Sequence, residues 1–402
     1  MKTPTTHSSG VPPRLTASLP HAIGLCVVLL FSAESAKGQA FSSGSTGADG
    51  DLMVTNNLTL NLPPDGIFNF NTITVDAGRT LTFNRNPLNT PVYLLARSNV
   101  TIIGVINVNG KDRPGNYMGG AGGPGGYDGG FGGFISDTNT LLGGAGKGPG
   151  GGLRGQNGSF VGSGAYGTVV KVAGTSRSGT NYGNPLLIPL VGGSGGGGVD
   201  GSSSGGGGGG GGAILIASDT VIRVVGLIDA LSGNGEANNS GSGGAIRLVS
   251  PRVYGNGYLR ATGAGNGRIR VDSVLKFEPN DPSQFFALSM TAGATFGANM
   301  VVFPPNLPRL DVVAIGTNAI PFGTGSPVFF LFDVGTSTNQ TVTVQARNFN
   351  TNAVSIEVAL IPDSGEKITF PAVIDNSSNP GQVVVPVTVT PNTKVEVQAW
   401  IR

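Results

Sequence analysis

Four charged residues near the middle of the chain are the best placed to do chemistry. Arg247, Arg268, Arg270 and Asp272 fall on two short apolar stretches, 244–250 and 267–273. An arginine row beside a carboxylate suits an anionic glycan, which guanidinium groups bind through paired N–H donors. The same set could serve a polysaccharide lyase, with arginine as base and Asp272 on calcium. A bland reading competes: a solvated Arg/Asp ladder contributes little to stability. Both of the chain's histidines, His7 and His21, and its single cysteine, Cys26, lie in the first forty residues. Beyond them no Ser-His-Asp or Cys-His triad and no zinc or haem site built on these residues can be assembled. No catalytic residue, metal ligand or cofactor site is assigned.

Weaker signals are set aside on spacing. Gly195 to Asp200 fits the first six positions of a calcium-binding nonapeptide, but Ser202 stands where an apolar residue belongs and no tandem copy follows. Ser273 to Lys276 imitates S-x-x-K without the companion motifs. Asp229 and Asp272 are not placed together as glycosidase carboxylates would be. Tyr117, Tyr127, Phe131 and Phe134 alternate with glycine. Two roles stay open for them, stacking on sugars or anchoring the loop to the wall, and anchoring is the favoured one.

The elements that must position these residues follow a repeat. Gly212-Ala213-Ile214-Leu215-Ile216-Ala217-Ser218, the stretch from Gly244 to Ser250 and that from Gly267 to Ser273 share the frame Gly-x-Ile-x-aliphatic-x-Ser. Alternation along a strand sends Ile214, Ile246 and Ile269 to one face and Leu215, Arg247 and Arg270 to the other. Short strands recurring at such intervals mark stacked repeats. A second set aligns Asn107, Asp229 and Arg260 in an outward column, so a correct register makes Asp229 and Arg260 cross-strand partners of opposite sign. Period-two stretches at 58–62, 68–70, 73–75, 81–83 and 92–96 extend the pattern toward the N-terminus.

Glycine fills the interval between these sets, with an uninterrupted run at 205–212. By composition the segment 111–212 argues for disorder. The other reading is ordered, polyproline-II-like passes against the wall, since glycine lets backbones approach closely. The aliphatic islands 166–172 and 185–191 support the second.

The remaining expectations are organisational. Residues 1–40 read as a signal peptide: Lys2 and Arg14 precede an apolar stretch at 22–31, too short to span a bilayer, and Gly38-Gln39-Ala40 ends it. That implies a secreted or cell-surface protein with no membrane span after cleavage. The segment holds Lys2, Arg14, Lys37 and Glu34, so the 24 basic and 22 acidic residues become equal in number without it. A balanced chain with no basic run argues against nucleic-acid binding. A β-helix domain is expected over 41–275, a linker over 276–308, and a C-terminal β-sandwich over 309–402, where about seven longer strands fit an immunoglobulin-like sandwich.

The residues around Ile67, Asn84-Arg85, the stretch 89–96, the stretch 184–193 and the Gly-Ala-Ile repeats resemble a group of uncharacterised exported glycine-rich bacterial proteins. Those are held to be parallel β-helices of the pectin-lyase-like kind. The resemblance covers roughly 45–275, implies fold and export, and transfers no catalytic residue. The expected architecture is thus all-β: a right-handed parallel β-helix (β-solenoid) with a long Gly-rich insertion, then an immunoglobulin-like sandwich. The expected function is a structural or adhesive surface protein whose partner is a polysaccharide or cell-surface glycan. The alternative is a polysaccharide lyase or hydrolase.

Overall fold

The computed structural model describes residues 41–115, 117–135, 140–156, 162–170, 177–200, 205–275, 288–321 and 328–402. The expected signal peptide lies outside them. Among the described residues the fold is all-β, and the only helical turn is a short 3-10 segment at Glu236–Asn238.

Three parallel sheets are built by strands that the chain visits in rotation. Leu52–Val54 enters the first sheet, Leu58–Asn61 the second and Ile67–Phe70 the third; Ile73–Val75 returns to the first. The arrangement is consistent with the expected β-helix. Its register agrees with the repeat. Ile214 pairs with Ile246 and Ile246 with Ile269, and all three are buried in one apolar cluster. Val92 of Val92–Ala96 precedes them in the same column. Ile106, Ile228 and Leu259 align in the second sheet, and Val100 and Ile222 in the first. Alternate residues of these strands are thus buried in one core shared by the three sheets, where a fully buried aliphatic side chain contributes about 1.5–3 kcal/mol.

Strands Ser289–Met290 and Gly293–Gly297 join the second and third sheets beyond Asp272. The parallel sheets therefore run on into the stretch expected to be a linker. After that, eight strands form two four-stranded antiparallel sheets with a common apolar core, in which Val342 and Val344 of one sheet meet Ile356, Val358 and Val397 of the other.

The glycine-rich segment, where described, is ordered, and its packing is of backbone on backbone. Along 207–212 successive N–H groups bond three neighbours in rotation. Gly207 and Gly210 donate to Gly130 and Tyr127, Gly208 and Gly211 to Asn239 and Ser242, Gly209 and Gly212 to Lys111 and Val108. The carbonyls of the same six residues accept from Gly120, Gly123, Gly196, Gly193, Gly233 and Ala245. A repeat every third residue is that of a polyproline-II helix, which makes no hydrogen bonds of its own and so offers all of them outward. Every donor and acceptor is used, which is what lets so much backbone be buried. A Cβ on Gly207 would collide with the carbonyl oxygen of Gly196, and one on Gly210 with that of Gly193. Disorder, one of the two open readings, does not describe these residues.

The island at 185–191 docks as expected. Leu187 and Leu190 join Tyr166, Leu215, Ala217 and Val249 in a second apolar cluster, on the opposite face of the third sheet from the inner column.

Candidate functional site

The third sheet sets Arg247 and Arg270 side by side on its outward face, in the register the repeat implies. The face is not open. The glycine-rich segment and residues 299–303 cover it, leaving Arg247 1%, Arg270 8% and Asp272 0% exposed. Arg247 donates to Asp272 Oδ2 through Nε at 3.4 Å and Nη2 at 3.3 Å, and its Nη2 also reaches the carbonyls of Asn299 and Val301 at 3.1 and 2.8 Å. Arg270 donates to Asp272 Oδ1 from Nε at 2.9 Å and Nη2 at 2.6 Å, and the Asn299 amide adds a third bond to that oxygen at 3.0 Å. Burial pushes the Arg247 guanidinium down from its ordinary value, and Asp272 opposes the shift. Arg268 bonds the Tyr182 carbonyl at 3.0 and 3.3 Å and lies over the Tyr166 ring. The expected glycan-contact face is therefore corrected. Arg247, Arg270 and Asp272 are buried and fasten the covering segments to the sheet, while Arg268 is half-buried.

The weaker candidates are also taken up internally. Asp200 accepts the Gly143 amide and pairs with Arg154. Asp229 is held by Arg260 at 2.7 and 2.6 Å, on a different sheet from Asp272. Ser273 Oγ donates to the Pro251 carbonyl at 2.9 Å, while Ser202 and Lys276 fall outside the described residues. No group of three or more His, Cys, Asp or Glu that could hold a metal ion occurs among the described residues.

Of the four aromatics Phe131 is half-buried, and the other three separate by position. Tyr127 is packed into the glycine-rich block, where burial first and the field of Glu396 second push its phenol up to about 12. It is an anchor. Tyr117 and Phe134 are instead exposed, at 45% and 43%, with ring centroids 5.7 Å apart and planes at 73°. Around them Met118, Leu141 and Leu142 are exposed as well. Edge-to-face geometry is a favourable one for an aromatic pair. The backbone beneath is fixed: Gly132 donates to Tyr117 O at 2.9 Å, Gly133 to Val199 O at 2.9 Å, and Phe134 pairs with Leu141 across a short antiparallel ladder. Their interspersion among glycines gives no means of telling these two from Tyr127.

A third group was not anticipated. Lys147 stands alone among uncharged residues from 138 to 153, an isolation visible in the sequence. It lies 3.8 Å from Glu396 Oε2 and 3.8 Å from Asp363 Oδ1, with Lys147 7% and Glu396 3% exposed. Burial raises the Glu396 carboxyl to about 7; Lys147 and Arg85 and a hydrogen bond from Gln398 hold it down, and Asp128 adds to the rise. Glu396 and Gln398 face away from the antiparallel core because alternation in Thr393–Ile401 turns Val395 and Val397 into it.

No helix among the described residues is long and apolar enough to cross a membrane. The chain matches no known family, no curated protein and no solved structure.

Proposed function

We propose that this is an exported, non-enzymatic surface or matrix protein that holds an adhesive, glycan-contacting edge on a rigid scaffold. The scaffold is read as a right-handed parallel β-helix bearing the glycine-rich insertion, followed by an immunoglobulin-like sandwich. The rotation of strands through three parallel sheets and the two antiparallel sheets sharing a core support that reading. The observation that carries the function is the exposed Tyr117–Phe134 pair with its apolar rim, set on backbone whose hydrogen bonds are already used. Aromatic faces offer a large, rigid surface to the C–H face of a sugar ring at small entropic cost. The lyase alternative loses its base, because both guanidinium groups it needs are buried against Asp272.

The test is retention on a panel of immobilised neutral and acidic polysaccharides, with and without calcium. Replacing Tyr117 and Phe134 together by Ala is expected to weaken binding at least about tenfold, the cost of losing a central aromatic anchor. Undiminished retention by the double variant would overturn the assignment. So would release of unsaturated oligosaccharides by the parent protein.

A further inference from the structure

Residues Phe41–Arg402 form one compact unit, and within it the antiparallel sheets are seated on the glycine-rich block. The Gly365 amide donates to Gly143 O at 3.0 Å, Ser364 Oγ to Leu142 O at 2.8 Å and Lys367 Nζ to Gly151 O at 3.2 Å. Ala145 packs against Ala359, Ile361 and Trp400. Arg154 and Arg177 both pair with Glu366. These contacts hold one primary amine between two carboxyl groups. Lys147 Nζ is 3.8 Å from Asp363 Oδ1, 3.8 Å from Glu396 Oε2 and 3.5 Å from the Ile361 carbonyl. With one cysteine in the chain, no intrachain disulfide is open to it.

We propose that Lys147 and Asp363 condense into an intramolecular amide bond, with Glu396 as the proton carrier, welding the glycine-rich block to the C-terminal sheets. The roles follow from burial. Glu396, enclosed by Lys147, Tyr127 and Asp128 from the block, by Arg85 just after strand Thr80–Asn84 and by Gln398 on its own strand, accepts a proton far more readily than an ordinary glutamate. Asp363 is 40% exposed and is faced by Lys394 as well, at 3.8 Å, so its side of the site opens to solvent.

The ammonium of Lys147 first gives a proton to Glu396. The freed lone pair attacks Cγ of Asp363, forming the C–N bond. One former carboxylate oxygen departs as water, carrying two of the three ammonium hydrogens, both relayed by Glu396, which ends as it began. No oxidant, reductant or co-reactant is consumed. Fixing both partners in one folded chain supplies the effective concentration that such a condensation requires. The proposal is independent of the glycan reading, and either can fail alone.

The purified full chain, denatured and weighed intact, is expected to be lighter than its sequence by one water. Proteolysis and tandem mass spectrometry should then recover a branched peptide joining Lys147 to Asp363. Lys147→Arg and Asp363→Ala should each restore the full mass. Glu396→Gln should slow closure about a hundredfold, within the usual range for a lost general acid–base group. A parent chain of full mass would overturn the proposal whether or not any variant folds. So would a missing water assigned to a Lys147–Glu396 link or to a succinimide at Asp363.

Discussion

Two Arg/Asp groups sit on outward positions of neighbouring parallel strands, and they meet opposite fates. In the second sheet Asp229 and Arg260 pair across one register step; the Asp229 carboxylate is buried, but the Arg260 side chain remains 36% exposed. In the third sheet Arg247, Arg270 and Asp272 occupy comparable outward positions and are sealed beneath the glycine-rich block. The residue types are the same, and both groups lie on parallel strands, although Asp229 faces Arg260 directly while Asp272 lies two residues along the strand from Arg270. What differs is the cover. A pair whose arginine reaches solvent is partly screened and contributes less than a sealed one. A sealed one is stable only because Asp272 receives bonds from both guanidinium groups and from the Asn299 amide, so that no buried charge is left alone. Position along a strand therefore decides which face a charge takes, while a remote segment decides whether that face is surface.

The strongest way to break the comparison is Asp272→Ala. It leaves Arg247 and Arg270 buried against each other without a counter-ion, and should cost about 3–5 kcal/mol. The measurement is a shift in the denaturant midpoint at unchanged slope. A loss no larger than that of a surface pair would mean that the cover lifts easily and the two groups are alike after all.

The next test addresses the cover itself, by adding one carbon in one region and removing one in the other. Gly210→Ala places a Cβ against the Gly193 carbonyl, where backbone meets backbone and no rotamer change relieves it. A loss of about 1–3 kcal/mol or more is expected, as for overpacking. Ile246→Val deletes one methylene from the inner column and should cost about 0.5–1.5 kcal/mol. The order matters more than the values. Were the glycine run the more tolerant of the two, its packing would not be the close backbone approach described here.

The same contrast explains what was legible in the chain. The inner columns announce themselves, because Ile214, Ile246 and Ile269 repeat in a fixed frame and alternation gives each a face. The Asp229–Arg260 pair follows from that frame alone. The cover does not, since its order resides in N–H groups that turn to a new neighbour at each residue, and glycine leaves no side-chain pattern to record it. Arg247 and Arg270 were accordingly assigned to the right face and the wrong environment. For the aromatics the limit is similar. Gly148 lies against the Tyr127 ring while Tyr117 is left exposed, a difference set by packing, and Lys147 reaches Asp363 and Glu396 across more than two hundred residues of sequence.

The smallest expected effect is also the one that separates the two groups most sharply. Asp229→Asn keeps the shape of the side chain and removes its charge, and Arg260 then turns its partly exposed guanidinium into water. The cost should be about 1 kcal/mol or less at low salt, shrinking further as ionic strength rises. Asp272→Asn, under the same salt titration, should show a deficit that hardly changes, because ions do not enter the sealed face to screen what remains there. Parallel salt responses in the two variants would place both groups in the same dielectric setting and remove the glycine-rich block from the explanation.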